Sequence, residues 1–109
     1  MKTLITLFFL ILTISVSAQN KQVTTMSNGS IEEIGYLTSD GKKDSVWTRY
    51  NDNGVIIALA HFNKGVKDGL WETYNDKGVK LFEILYVGGC KKYGKRWDDN
   101  GVLIEEKDF

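Results

Sequence analysis

The sequence predicts an all-β fold, an antiparallel β-hairpin repeat meander of about seven strands forming a single curled sheet behind a removable leader. Three observations lead there. A unit of about 24 residues recurs through the chain, and a fixed period of that size marks one supersecondary unit stacked on copies of itself. Glycine-centred turn signals punctuate the chain in register with that period. The runs between them favour β-branched and aromatic residues, and the chain contains no proline to interrupt a ladder.

The repeat is clearest where Trp47-Thr48-Arg49-Tyr50-Asn51-Asp52-Asn53-Gly54-Val55 returns as Trp71-Glu72-Thr73-Tyr74-Asn75-Asp76-Lys77-Gly78-Val79. An eroded third copy reads Lys95-Arg96-Trp97-Asp98-Asp99-Asn100-Gly101-Val102. One turn series comprises Asn28-Gly29, Asn53-Gly54, Lys77-Gly78 and Asn100-Gly101, and the other Gly41, Gly65 and Gly89. Asn-Gly suits tight hairpins because both residues tolerate positive φ, so each pair reads as a hairpin tip. Residues 55–62 align with 79–86, with 102–109 and, more weakly, with 31–38. Residues 46–50 align with 70–74 and roughly with 94–97. Each run has ordinary strand length, and none shows helical spacing.

Alternation assigns the faces. Ile56, Ala58, Ala60 and Phe62 share one face, and Val55, Ile57, Leu59 and His61 the other. The next copy is more polar, as expected of a curled sheet that buries its middle and exposes its ends. Tyr50, Tyr74 and Trp97 form one column of matching aromatics, and Phe62, Tyr86 and Phe109 another. Such columns read first as the glue between repeats. If the aromatics instead form an interaction face, Tyr50, Trp71, Tyr74 and Trp97 are its candidate residues.

The stretch Asp68-Gly69-Leu70-Trp71-Glu72-Thr73-Tyr74, with Gly78 behind it, resembles the MORN-variant repeat of bacterial proteins. Phe62 with Gly65 and Tyr86 with Gly89 fill the unit's later aromatic and glycine places. The resemblance spans residues 29–109 and implies a MORN-like β-repeat domain. It also implies the antitoxin role of a toxin–antitoxin system, the usual description of that family. Asp44-Ser45-Val46-Trp47 lacks the glycine before its tryptophan, and the last copy lacks the tryptophan.

Residues 1–18 read as a secretory signal peptide: Lys2, an apolar run over residues 4–14, and Val16-Ser17-Ala18 before a cut at Gln19. The apolar run is shorter than the roughly 20 residues a bilayer needs. Export to the periplasm, cell envelope or medium is the expectation, with no integral membrane segment after cleavage. Residues 19–28 read as a short linker and 29–109 as the repeat domain. Cleavage removes Lys2 and leaves the basic count one below the 14 acidic residues. That balance favours no nucleic-acid partner. Cys90 is the only cysteine, so no internal disulfide is available.

Catalytic constellations are missing from the pattern. His61 is the sole histidine. The acidic pairs Glu32-Glu33, Asp98-Asp99 and Glu105-Glu106 sit on adjacent strand positions, so their side chains diverge to opposite faces. Asn51-Asp52-Asn53-Gly54 lacks the spacing and distal glutamate of a calcium loop. No cofactor or metal is expected. The reading is a non-enzymatic protein-interaction module with an unidentified protein partner. An antitoxin-like inhibitor and, more remotely, a small cell-surface hydrolase are the alternatives.

Overall fold

The computed structural model describes residues 20–109. The expected leader, residues 1–18, and its expected cleavage site lie outside the described residues. Nine strands make one antiparallel sheet: β1 Asn20–Thr25, β2 Ile31–Leu37, β3 Lys43–Tyr50, β4 Ile56–Asn63, β5 Val66–Lys67, β6 Gly69–Tyr74, β7 Lys80–Val87, β8 Cys90–Trp97 and β9 Leu103–Asp108. Their spatial order is β1-β2-β3-β4-β6-β7-β8-β9, with β5 pairing β4 beside β6. Among the described residues there is no helix. The all-β antiparallel meander read from the repeat is the observed architecture.

Two strands raise the count from about seven to nine. Residues 20–25, taken as linker, form the edge strand β1 against β2. All six are exposed, so the segment lacks the alternation by which a half-buried strand is recognised. Strand β5 is split from β6 because two extra residues are inserted opposite β4. Phe62 faces Lys67, yet Leu59 faces Glu72. The same insertion occurs in the preceding repeat, where Tyr36 faces Asp44 and Ile34 faces Thr48. In the third repeat it shrinks to a single residue, with Tyr86 facing Lys91 and Leu85 facing Tyr93.

The turn chemistry also differs from expectation. In the Asn-Gly series only the glycine is left-handed, as at Gly54 (φ 78°) and Gly78 (φ 82°). Gly54 N–H donates to Asn51 O and Asn51 N–H to Val55 O, and the pattern repeats at 75–79 and 98–102. These are three-residue loops in which a turn is followed by a left-handed glycine. The residue that organises them stands three places before the glycine. Asn51 Oδ1 accepts from the N–H groups of Asn53 and Val55, and Asn75 Oδ1 and Asp98 Oδ1 accept from the matching pairs, all at 2.9–3.0 Å. The two-residue turns with positive φ throughout are instead Lys64-Gly65 (47° and 87°) and Gly88-Gly89 (55° and 87°).

Each of those tight turns is fastened to the repeat before it. Gly65 N–H donates to Lys43 O and Lys64 N–H to Asp44 Oδ1, at 2.7 and 2.9 Å. One repeat later Gly89 N–H donates to Lys67 O and Gly88 N–H to Asp68 Oδ1, at 2.9 and 3.1 Å. Asp44 and Asp68 therefore have the same role 24 residues apart.

The sheet is a single layer without an enclosed interior. Among the described residues Tyr86 is the one hydrophobic side chain that is buried, at 7% exposure. Most side chains of β3, β4, β6 and β7 are half-buried on both faces, whereas β1 and β9 are exposed throughout. Burial thus peaks in the middle of the array, as the polarity drift along the repeats implies. Gly78→Val is expected to destabilise the domain by about 1 kcal/mol or more, because a β-branched residue is strained at its positive φ. Thermal melting checks it, and an unchanged midpoint would contradict the assigned turn.

Candidate functional site

The two faces carry different chemistry. On one, tryptophans of successive repeats lie across the strand that precedes them. The Trp47 ring lies directly over Gly35, where an added Cβ would come within 2.0 Å of Cδ2. Its indole N–H donates to Tyr36 O at 3.1 Å. Trp71 N–H likewise donates to His61 O at 2.9 Å. The Trp71 ring meets Phe62 edge-on at 5.1 Å and Tyr86 at 5.4 Å with a 58° tilt, geometries that aromatic pairs prefer.

Lysines at a 24-residue interval cover these rings. Lys43 Nζ stands 4.5 Å from the Trp47 ring centre and 5.4 Å from that of Phe62. Lys67 Nζ stands 4.6 Å from Trp71 and 5.1 Å from Tyr86. Lys91 repeats the arrangement 5.5 Å above Phe109. A cation over a ring contributes about 0.5–1 kcal/mol at an exposed site, while the stem shields the ring and the ammonium stays in water. Successive lysines are two strands apart, about 9.5 Å. The outcome is a row of cations on an aromatic floor.

The opposite face holds an ionic network. Glu72 and Glu83 are directly opposed across β6 and β7, an arrangement that is repulsive by itself. Lys80 stands between them, with Nζ 3.0 Å from Glu72 Oε2 and hydrogen-bonded to Glu83 Oε1. The Tyr74 hydroxyl donates to Glu72 Oε2 at 2.7 Å and the Tyr93 hydroxyl to Glu83 Oε2 at 3.2 Å. Lys80 Nζ also lies 5.3 Å from the Trp97 ring centre.

The Tyr74 hydrogen bond, joined by Lys80, holds the Glu72 carboxyl below the usual range against the opposing effect of burial. Burial and the Glu72 carboxylate raise the Tyr74 phenol. Burial alone would lower Lys80, but its bonds to Glu83 and Glu72 outweigh that and raise it. Glu72 is thus held as a carboxylate and Lys80 as an ammonium at neutral pH, which suits charge pairing better than proton transfer.

The four candidate aromatics do not share one surface. Trp71 belongs to the lysine-covered face. Tyr74, bonded to Glu72, and Trp97, beside Lys80, belong to the other face, since neighbours on a strand point oppositely. Tyr50 holds the same register as these two, opposite Ile56, where Tyr74 faces Lys80 and Trp97 faces Leu103. Strand alternation already separated Trp71 from Tyr74, because they are three residues apart. Two features escaped the sequence reading. Lys43, Lys67 and Lys91 were visible as a periodic set, but exposed lysines are common enough to pass as solvated surface. The Glu72–Lys80–Glu83 network has no counterpart in the first repeat, where Thr48, Ile56 and Leu59 stand in its place.

His61 is half-buried and Cys90 exposed at the start of β8. Among the described residues no group of histidine, cysteine and carboxylate side chains is placed to hold a metal. No helix among them is long and apolar enough to cross a membrane. Comparison with protein-family models, with curated proteins and with solved structures gave no match.

The network sets an acid limit on stability. Glu72 has a depressed folded-state pKa, so its contribution is present above the unfolded value of about 4.3 and is lost as pH falls through the folded one. Glu72→Gln should therefore lower the melting temperature at pH 7 and flatten its decline below about pH 4.5. Melting curves from pH 7 to 3 check this; parallel profiles for the two proteins would contradict it.

Proposed function

We propose that this chain is an exported, non-enzymatic interaction module that engages an acidic protein surface through its aromatic–lysine face. The observation that carries the reading is the threefold row of Lys43, Lys67 and Lys91 over Trp47, Trp71 and their neighbours. A row of that kind combines apolar area with regularly spaced charge, and complementary charge guides both the approach and the register of a partner. Lys67 and Lys91 are exposed, so their ammonium groups are available to such a partner. The signal-peptide pattern at residues 1–18 supports export, and the Trp71–Gly78 spacing supports kinship with MORN-variant repeats. On this reading the Glu72–Lys80–Glu83 network is scaffold for the opposite face.

Affinity capture from the envelope fraction, read by mass spectrometry, tests the reading against a variant carrying Lys43→Glu, Lys67→Glu and Lys91→Glu. The wild-type chain should retain an acidic partner whose binding weakens as salt rises above about 0.15 M, where screening shortens to roughly 8 Å. The charge-reversed variant should stay folded by circular dichroism and lose that partner. Equal recovery by both proteins, or recovery indifferent to salt, would overturn it.

A further inference from the structure

The third repeat leaves empty the position that the first two fill with an indole. Trp47, Trp71 and Gly94 each stand seven residues before the turn glycines Gly54, Gly78 and Gly101. Their partners on the following strand, Ala60, Ile84 and Lys107, each stand six residues after those glycines. Gly94 is therefore the register equivalent of the two tryptophans. Around it the aromatic–lysine face sinks into a depression of about 130 Å³, with Phe82, Ile84, Gly94, Arg96, Lys107 and Phe109 among its lining residues.

The residue beneath Trp47 is Gly35, its counterpart one repeat on is Ala60, and in the third repeat it is Ile84. The larger Ile84 stands where Gly35 and Ala60 stand in the earlier repeats, and the depression opens beside it and Gly94. Its walls are apolar and unusually exposed: Phe82 has 44% and Phe109 58% of its surface accessible. Lys107, which lines the depression, stands 4.8 Å from the Phe109 ring centre, and Lys91 approaches the same ring to 5.5 Å from outside the lining, so the charge around Phe109 is positive. Arg96 Nε is 3.3 Å from Glu105 Oε2, so that pair is largely self-neutralising.

We propose that this depression is a docking site for a tryptophan-sized side chain of the partner protein, presented beside an acidic residue. The fold itself shows what the position accepts, because two repeats seat an indole there between neighbouring strands. The lysine rim selects the flanking charge, just as Lys43 and Lys67 cover the rings of the earlier repeats. The inference rests on the interaction-module reading and names the partner's anchor residue. Aromatic anchors of this kind tend to dominate the energy of an interface.

The test is an NMR titration of the ¹⁵N-labelled chain with three blocked tripeptides: Asp-Trp-Asp, Asp-Ala-Asp and Lys-Trp-Lys. Asp-Trp-Asp should shift the amides of Ile84, Gly94 and Phe109 saturably. The other two should bind about tenfold more weakly or worse, as loss of one good aromatic or charged contact implies. Gly94→Trp should fill the slot and abolish the response. A Cβ at Gly94 meets its nearest neighbours at ordinary contact distances, 3.5 Å from Phe109 Cε2 and 3.7 Å from Glu83 O. Phe109→Ser serves as a second variant at an exposed position and should weaken binding with the melting temperature kept.

Equal response to the alanine peptide, or undiminished binding by both variants, would overturn the proposal. Failure of the tripeptide with retained, lysine-dependent partner capture would sink the slot and spare the module. Saturable tripeptide binding without any lysine-dependent partner would do the reverse.

Discussion

A sheet one layer thick has no interior, and every other feature of this protein follows from how that deficit is met. A conventional domain buries apolar side chains between two layers. Here Tyr86 alone among the hydrophobic residues described is buried. The substitute is lateral: long side chains lie flat across neighbouring strands and shield one another. Trp71 is the hub, touching Phe62 and Tyr86 by its ring and His61 by its indole N–H. Lys67 closes the assembly from above. Trp47 lies so close to the strand that a Cβ at Gly35 would come within 2.0 Å of its ring, so that position is held by glycine.

Repetition then becomes a structural necessity. One hairpin could not shield a tryptophan, because the ring spans strands belonging to adjacent units. The tight turns at Lys64-Gly65 and Gly88-Gly89 reinforce this by bonding to Asp44 and Asp68 of the unit before. Units in such arrays are stabilised mainly by their neighbours, and terminal ones are atypical. The third unit is atypical here. It has lost the tryptophan, one inserted residue and the aspartate, since Lys92 stands 24 residues after Asp68. The depression at Gly94 is the structural trace of that erosion.

Much of this was legible in the chain. The 24-residue period gave the hairpin order, and alternation grouped Ala58, Ala60 and Phe62 correctly. It put Ile56 with them, whereas the register shift between Arg49 and Tyr50 sets Ile56 opposite Tyr50 on the other face. Residues 20–25 were missed because a fully exposed edge strand shows no alternation. The turn type was misassigned because Asn53-Gly54 looks like a two-residue hairpin, whereas the side chain of Asn51 imposes a three-residue loop. The lysine row and the Glu72–Lys80–Glu83 network depend on which side chains meet across strands. For the lysine row that depends on the two-residue insertion opposite β4, and for the network on the register shift between Thr73 and Tyr74 that sets Lys80 opposite Tyr74; no turn residue or hydrophobic pattern announces either.

The central claim is that rings laid across strands take the place of a core, with Trp71 at the hub. Native-state hydrogen exchange of the wild-type chain and of Trp71→Ala tests it most directly. Full truncation of a buried tryptophan typically costs about 3–5 kcal/mol. Trp71 is half-buried, so its loss should cost less than that, yet still a sizeable share of the roughly 5–15 kcal/mol that holds a small domain together. The account predicts that wild-type protection is highest in β4, β6 and β7 and falls toward β1 and β9. It also predicts that Trp71→Ala removes protection from those central strands together. Protection of β6 and β7 that survives the substitution, or that is no higher than in β1 and β9, would contradict it.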